Sequence, residues 1–182
     1  MGLVLLTGGA RSGKSALAVR IASRWRGGVT FIATAEARDE EMRDKIARHR
    51  ADRPDRWRVV EEPVEVSAAI EASPATDLVI VDCLTLWVSN LLERGVSAAE
   101  VGTRAAAASK TAAAREAPVL VVTNEVGDGI VPLHPETRAY RDLMGTVNAT
   151  FGRDAERVLL TVAGRVVSLA DPEGVIADVL GG

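Results

Sequence analysis

The sequence predicts an α/β fold of three layers, a mainly parallel sheet flanked by helices. Three observations carry that expectation. Short β-branched apolar runs alternate with longer helical stretches along the chain, the pattern of repeated strand–helix units. Runs such as Leu78-Val79-Ile80-Val81 are apolar at every position, which suits strands covered on both faces. The first run leads through a glycine-rich loop into a helix, the setting in which open parallel sheets hold phosphate groups at the carboxyl ends of their strands.

The elements follow in order. A strand over Leu3–Thr7 is followed by a helix over Ser15–Arg26 and a strand over Val29–Ala33. The next helix, Arg38–Arg50, opens acidic at Asp39, Glu40 and Glu41 and closes basic at Lys45, Arg48 and Arg50, complementing a helix dipole. The segment from Arg50 to Trp57 reads as a loop because Pro54 restrains it. Strand Arg58–Glu61, helix Val64–Ala72, strand Leu78–Val81 and helix Leu84–Arg94 continue the alternation. Helix Ser97–Glu116 is rich in alanine, the strongest helix former. Strand Val119–Thr123, helix Glu136–Phe151 with His134 at its start, and strand Val158–Val162 complete the expected set. Neither an internal repeat nor a low-complexity linker divides the 182 residues, so one catalytic domain over 1–182 is expected.

Composition narrows the function. With 47% hydrophobic and 26% charged residues the chain has material for one core and a hydrated surface. A net charge of -3 argues against a general nucleic-acid binder. Cys83 is the single cysteine, which excludes an internal disulfide and a Cys-based metal site; it reads as a small buried residue. Trp25, Trp57 and Trp87 read as packing residues, with Trp57 bordering the loop after the second helix. No apolar segment approaches the ~18 residues of a membrane span, and no signal-peptide pattern follows Met1. The expected compartment is the cytoplasm.

The strongest chemical signal is Gly8-Gly9-Ala10-Arg11-Ser12-Gly13-Lys14-Ser15. It matches the phosphate-binding loop (P-loop) pattern G-x-x-x-x-G-K-[ST] and has the strand before and helix after that the pattern requires. Glycines let successive backbone N–H groups point inward at a phosphate, and the helix N-terminus adds partial positive charge. Lys14 is placed to reach β- and γ-phosphates, and the Ser15 hydroxyl to bind Mg²⁺. A P-loop NTPase-type fold follows. Asp82 ends the fourth strand, where it either holds Mg²⁺ with Ser15 or caps the helix that follows. Thr123-Asn124-Glu125 ends the fifth strand in the same manner, and Gly127 and Gly129 allow a tight loop after it.

His49 falls in the last turn of the second helix; spacing alone reads such a residue as a surface histidine more readily than as a nucleophile. A set of further motifs changes that reading. Gly8–Ser15, Ala33-Thr34-Ala35, His49-Arg50 with Arg53-Pro54 and Trp57, Glu61-Glu62-Pro63, Thr123–Gly127, Gly129–Pro132, and Arg141-Asp142 with Gly145 and Asn148 occur in one order along nearly the whole chain. In this combination the sequence resembles the bifunctional adenosylcobinamide kinase / adenosylcobinamide-phosphate guanylyltransferase family of cobalamin biosynthesis. The resemblance implies two reactions: phosphorylation of adenosylcobinamide by ATP or GTP, then transfer of GMP from GTP to the cobinamide phosphate through a guanylyl–histidine. It places the nucleophile at His49. It places guanine-nucleotide contacts at the P-loop, Ala33, Thr34, Ala35, Arg50, Ala51, Asp52, Arg53, Glu61 and Asp82. It also implies a homo-oligomer, a trimer, with sites near subunit boundaries. Imidazole suits the role, being a nucleophile at neutral pH and a workable leaving group.

Two other readings stay open at the level of residues. One is a simpler P-loop small-molecule kinase in which His49 is structural. The other is a nucleotide-dependent switch, against which stands Asn124-Glu125-Val126-Gly127 where signalling GTPases carry N-K-x-D.

Overall fold

The computed structural model describes residues 2–51 and 53–180, with the side chains of Glu41, Lys45, Arg48, His49 and Ala51 outside the description. Its elements are β1 (Leu3–Thr7), α1 (Lys14–Ala22), β2 (Val29–Ala33), α2 (Glu40–Ala51), β3 (Arg58–Glu61), α3 (Val66–Ala72), β4 (Leu78–Asp82), α4 (Leu84–Glu93), α5 (Ala98–Ala113), β5 (Val119–Val122), α6 (Pro135–Asp154), β6 (Arg157–Val162), β7 (Arg165–Leu169) and α7 (Pro172–Leu180).

One seven-stranded sheet runs in the order β3-β2-β4-β5-β1-β6-β7. Every pairing from β3 to β6 is parallel, and β7 joins β6 antiparallel. The strands sort their side chains by period two, as a pleated sheet must. Val79, Val81, Val119 and Val121 enter one core with α3, α4, α5 and α6. Leu78, Ile80, Leu120 and Val122 enter a second core with Ala18 and Ala22 of α1. Two cores on opposite faces make the three expected layers. On α5, Val101, Ala105, Ala108 and Ala112 are the buried stripe, at the i, i+4, i+7 spacing of one helix face.

Helix ends differ from expectation where side chains intervene. Helix α3 starts at Val66 rather than Val64, because Glu62 Oε1 accepts the N–H groups of Val64 at 2.9 Å and Glu65 at 2.8 Å. Helix α6 continues to Asp154, burying Met144, Val147, Asn148 and Phe151. Strand β7 and helix α7 were not expected at all. The β6–β7 hairpin turns at Ala163 (φ 48°) and Gly164 (φ 73°). Such two-residue turns need positive φ twice and are signalled by Asn-Gly or Asp-Gly; an alanine in the first place gives no such signal.

Candidate active site

The parallel strands end together along one edge of the sheet, and a cleft of about 1170 Å³ opens there. The P-loop forms one wall. Gly8 (φ 141°) and Gly13 (φ 104°) take backbone conformations that glycine alone tolerates well. At Gly8 a Cβ would lie 2.3 Å from the Thr161 carbonyl oxygen of β6. The hairpin beyond β6 buttresses the loop from outside, with the Gly164 N–H donating to Ser12 O at 3.0 Å. Lys14 is buried and donates from Nζ to Gly8 O at 2.9 Å, Gly9 O at 2.6 Å and Ser12 Oγ at 3.4 Å. Burial lowers its pKa, while the neighbouring Cys83 and Asp82 groups pull it back up. Asp82 is therefore close enough to act on the ammonium.

Ser12, Gly13, Lys14, Ser15 and Asp82 all line the cleft. The capping alternative for Asp82 is not realised: the N-cap of α4 is Cys83, which caps through no side-chain hydrogen bond. The Cys83 thiol is buried, and burial raises its pKa to about 11, so it stays protonated at neutral pH.

The facing wall is made of Ala33, Ala35, Glu61 and Pro63, and the cleft is further lined by Met42, Ile46, Arg50 and Arg53. Met42, Ile46 and Arg50 recur at i, i+4, i+8 along α2, one face of a helix. Position 49 lies in α2 between two lining residues, Ile46 and Arg50. The Arg53 guanidinium sits 3.5 Å from the centroid of the Phe31 ring, a cation–π contact that holds its plane. Thr34 differs from its neighbours. It is fully buried and does not line the cleft; its hydroxyl donates to Cys83 O at 2.8 Å and accepts from the Cys83 N–H at 2.7 Å. Its role is to lock β2 to β4. Asp52 lies outside the described residues, as do the side chains of His49 and Ala51.

Sequence reasoning missed several contributors. Glu36 and Arg38 line the cleft, and so does Leu86. Arg94 and Arg38 hydrogen-bond Glu36 and hold its carboxyl down at about 2. Asn124 was not among those missed: the sequence singles it out with Thr123 and Glu125 at the end of the fifth strand, and it lines the cleft. Its Nδ2 donates to Thr85 Oγ1 at 2.9 Å, and its carbonyl accepts from Asn148 Nδ2 at 3.1 Å. Thr123 Oγ1 donates to Asn148 Oδ1 at 2.7 Å. The motif after β5 is thus bolted to α4 and α6, and the Glu125 N–H ties it to Gly8 O at 3.0 Å.

Comparison with known proteins bears on family and fold. The family model described as cobinamide kinase / cobinamide phosphate guanyltransferase matches residues 4–169. The bifunctional adenosylcobalamin biosynthesis protein CobP of Pseudomonas aeruginosa is 43% identical over 163 residues, which cover 88% of this chain and 92% of that protein. The corresponding CobU of Escherichia coli K12 is 38% identical over 175 residues, 89% of this chain and 96% of that one. Among solved structures, a Pyrococcus horikoshii protein covers 94% of this chain, with 88% of its own covered, at TM-score 0.55 and 11% identity. An ATPase from a bacterial type III secretion system covers 98% of this chain, with 61% of its own covered, also at TM-score 0.55 and 11% identity. At that identity these two structures show the fold alone.

Proposed function

The chain belongs to the cobinamide kinase / cobinamide phosphate guanyltransferase family, and on that premise we propose that it performs both reactions in the one cleft, with His49 as the guanylyl acceptor. In the first reaction the hydroxyl of adenosylcobinamide attacks the γ-phosphorus of ATP or GTP. The bond to the bridging oxygen breaks and the nucleoside diphosphate leaves. In the second, an imidazole nitrogen of His49 attacks the α-phosphorus of GTP and pyrophosphate leaves. A phosphate oxygen of adenosylcobinamide phosphate then attacks the same phosphorus, the N–P bond breaks, and adenosylcobinamide-GDP is released.

The observation that carries this reading is a P-loop and the helix bearing position 49 lining one cleft. Lys14 contributes charge beside the β- and γ-phosphates once it exchanges its loop carbonyls for phosphate oxygens. Arg50 on α2 and Arg53 just beyond its end offer guanidinium groups to the α-phosphate region. Mg²⁺ fits the residues present. Ser15 and Asp82 are hard oxygen donors in the same cleft, and this ion is usually held by one or two carboxylates with the rest of its shell from phosphates and water. When bound it would neutralise phosphate charge in both steps.

The test is intact-mass measurement after incubation with Mg²⁺ and GTP, quenched in alkali because a phosphoramidate is acid-labile. The wild type should gain one GMP and His49→Ala none; a folded, GTP-binding wild type without the adduct would leave a simple P-loop kinase as the better reading.

We also propose a cytoplasmic homo-oligomer, a trimer. No helix among the described residues is long and apolar enough to cross a membrane. Helix α7 buries no residue within the chain, and nine residues form a marginal helix on their own. Val166, Val167 and Leu169 of β7 and Val179 and Leu180 of α7 are exposed, an apolar surface that a second copy would cover. Sedimentation of the wild type should show a trimer, and Val179→Glu should dissociate it; a monomeric wild type would remove this assignment.

A further inference from the structure

The cleft wall opposite the P-loop contains two chain segments, 34–38 and 62–64, that lie just beyond the ends of β2 and β3, where the strand ladder gives out after the Thr34 N–H to Asp82 O and Glu62 N–H to Ala33 O bonds. Their buried carbonyls still require donors. Helix α4 supplies them. Trp87 Nε1 donates to Val64 O at 2.7 Å. One turn on, the Asn90 side-chain amide is nearly fully buried, 3% exposed, and donates to Thr34 O at 2.7 Å and Pro63 O at 3.1 Å. Both of its amide hydrogens are therefore used across the two segments. Its Oδ1 accepts from Arg38 Nη2 at 2.7 Å, just before α2 begins. Arg38 is paired in turn with Glu36 and Glu93. Among described residues, Asn90 bonds both wall segments and the approach to α2 at once, yet it forms no hydrogen bond to the P-loop.

We propose that Asn90 is a positioning residue for guanylyl transfer: through Thr34 O and Pro63 O it fixes the wall carrying Ala33, Ala35 and Glu61, and through Arg38 it sets the start of the helix bearing His49. This rests on the reading of His49 given above. Asn90 is buried and is not among the residues that line the cleft. It acts by holding the α-phosphorus and the helix in one geometry, and small displacements of such geometry are expensive in rate. The P-loop is held by the Gly164 and Glu125 N–H groups and by its own backbone, with no bond from Asn90, so its grip on phosphates should be independent of Asn90.

Two substitutions in the full-length chain separate the parts. Asn90→Asp keeps an acceptor for Arg38 but sets a carboxylate oxygen against the Thr34 and Pro63 carbonyls. Arg38→Ala removes the Asn90 link to α2 together with the pairs to Glu36 and Glu93, at a partly exposed residue. Two quantities are measured: the rate of GMP-adduct formation at saturating GTP, and the affinity for inorganic tripolyphosphate, which probes the P-loop alone. The expected result is a rate about tenfold lower for Asn90→Asp and about threefold lower for Arg38→Ala, the scale of a lost buried polar contact, with tripolyphosphate affinity unchanged. Adduct formation at the wild-type rate in either variant overturns the role assigned to that bond. Parallel loss of rate and tripolyphosphate affinity shows a merely structural residue. Should Asn90→Asp fail to fold, Arg38→Ala decides the link to α2. A wild type that forms no adduct refutes the function of His49 itself, and this inference with it.

Discussion

The P-loop wall and the wall facing it, from Ala33–Ala35 to Glu61–Pro63, differ in what holds them. The P-loop is shaped by its own backbone: positive φ at Gly8, Arg11 and Gly13, with Lys14 donating to carbonyls five and six residues before it. The facing wall is held by side chains from far along the chain. Thr34 is fastened to Cys83, 49 residues away, and Asn90 reaches Thr34 O across 56 residues. The first kind of wall transfers as a short motif with its flanking elements. The second exists only when β2, β3 and β4 are already aligned and α4 has docked.

Substitutions can break that contrast. The largest effect is expected at Gly8→Ala, where the new Cβ would meet the Thr161 carbonyl and φ is unfavourable for alanine. A loss of about 3 kcal/mol or more is expected from such strain, read by denaturant unfolding, together with loss of tripolyphosphate binding. Retained binding would mean that β6 does not set the loop. A smaller effect is expected at Thr34→Val, which preserves shape but leaves the buried Cys83 N–H unpaired, while the Cys83 carbonyl keeps the Trp87 N–H. About 2 kcal/mol of stability should go, and GTP affinity should fall while tripolyphosphate affinity stays. Equal loss for both ligands would erase the distinction between the walls.

The smallest effect concerns Glu36, whose carboxyl Arg94 and Arg38 hold down at about 2. A folded pKa below the unfolded value of about 4.3 gives stability that is full above that value and lost as pH falls toward 2. The side chain is partly solvated, so the contribution is that of a screened surface pair. Unfolding curves of wild type and Glu36→Gln should differ slightly at pH 6 and converge near pH 2; curves that remain parallel would remove Glu36 from the network.

Legibility followed the same division. The strands β1, β2, β4 and β5 were readable because a run such as Leu78–Val81 is apolar on both faces. Strand β7 was not: its turn lacks the usual residues, and all five of its residues are exposed in this chain. Ser15 and Asp82 were legible as cleft residues from a motif and a strand end. Thr34 was assigned to the nucleotide through resemblance, yet its hydroxyl is turned into the fold. Asn90 gave no signal, since an asparagine inside an amphipathic helix reads as a polar surface residue until its neighbours are known.

By itself the sequence determined the layered sheet, the phosphate loop and the family, because periodicity, glycine placement and a long ordered set of motifs are local or collinear properties. Tertiary structure alone decided which polar side chains face the cleft and which are consumed in holding it. That choice depends on where strands diverge and leave carbonyls unpaired, and the partners come from residues whose distance along the chain bears no relation to their distance in space.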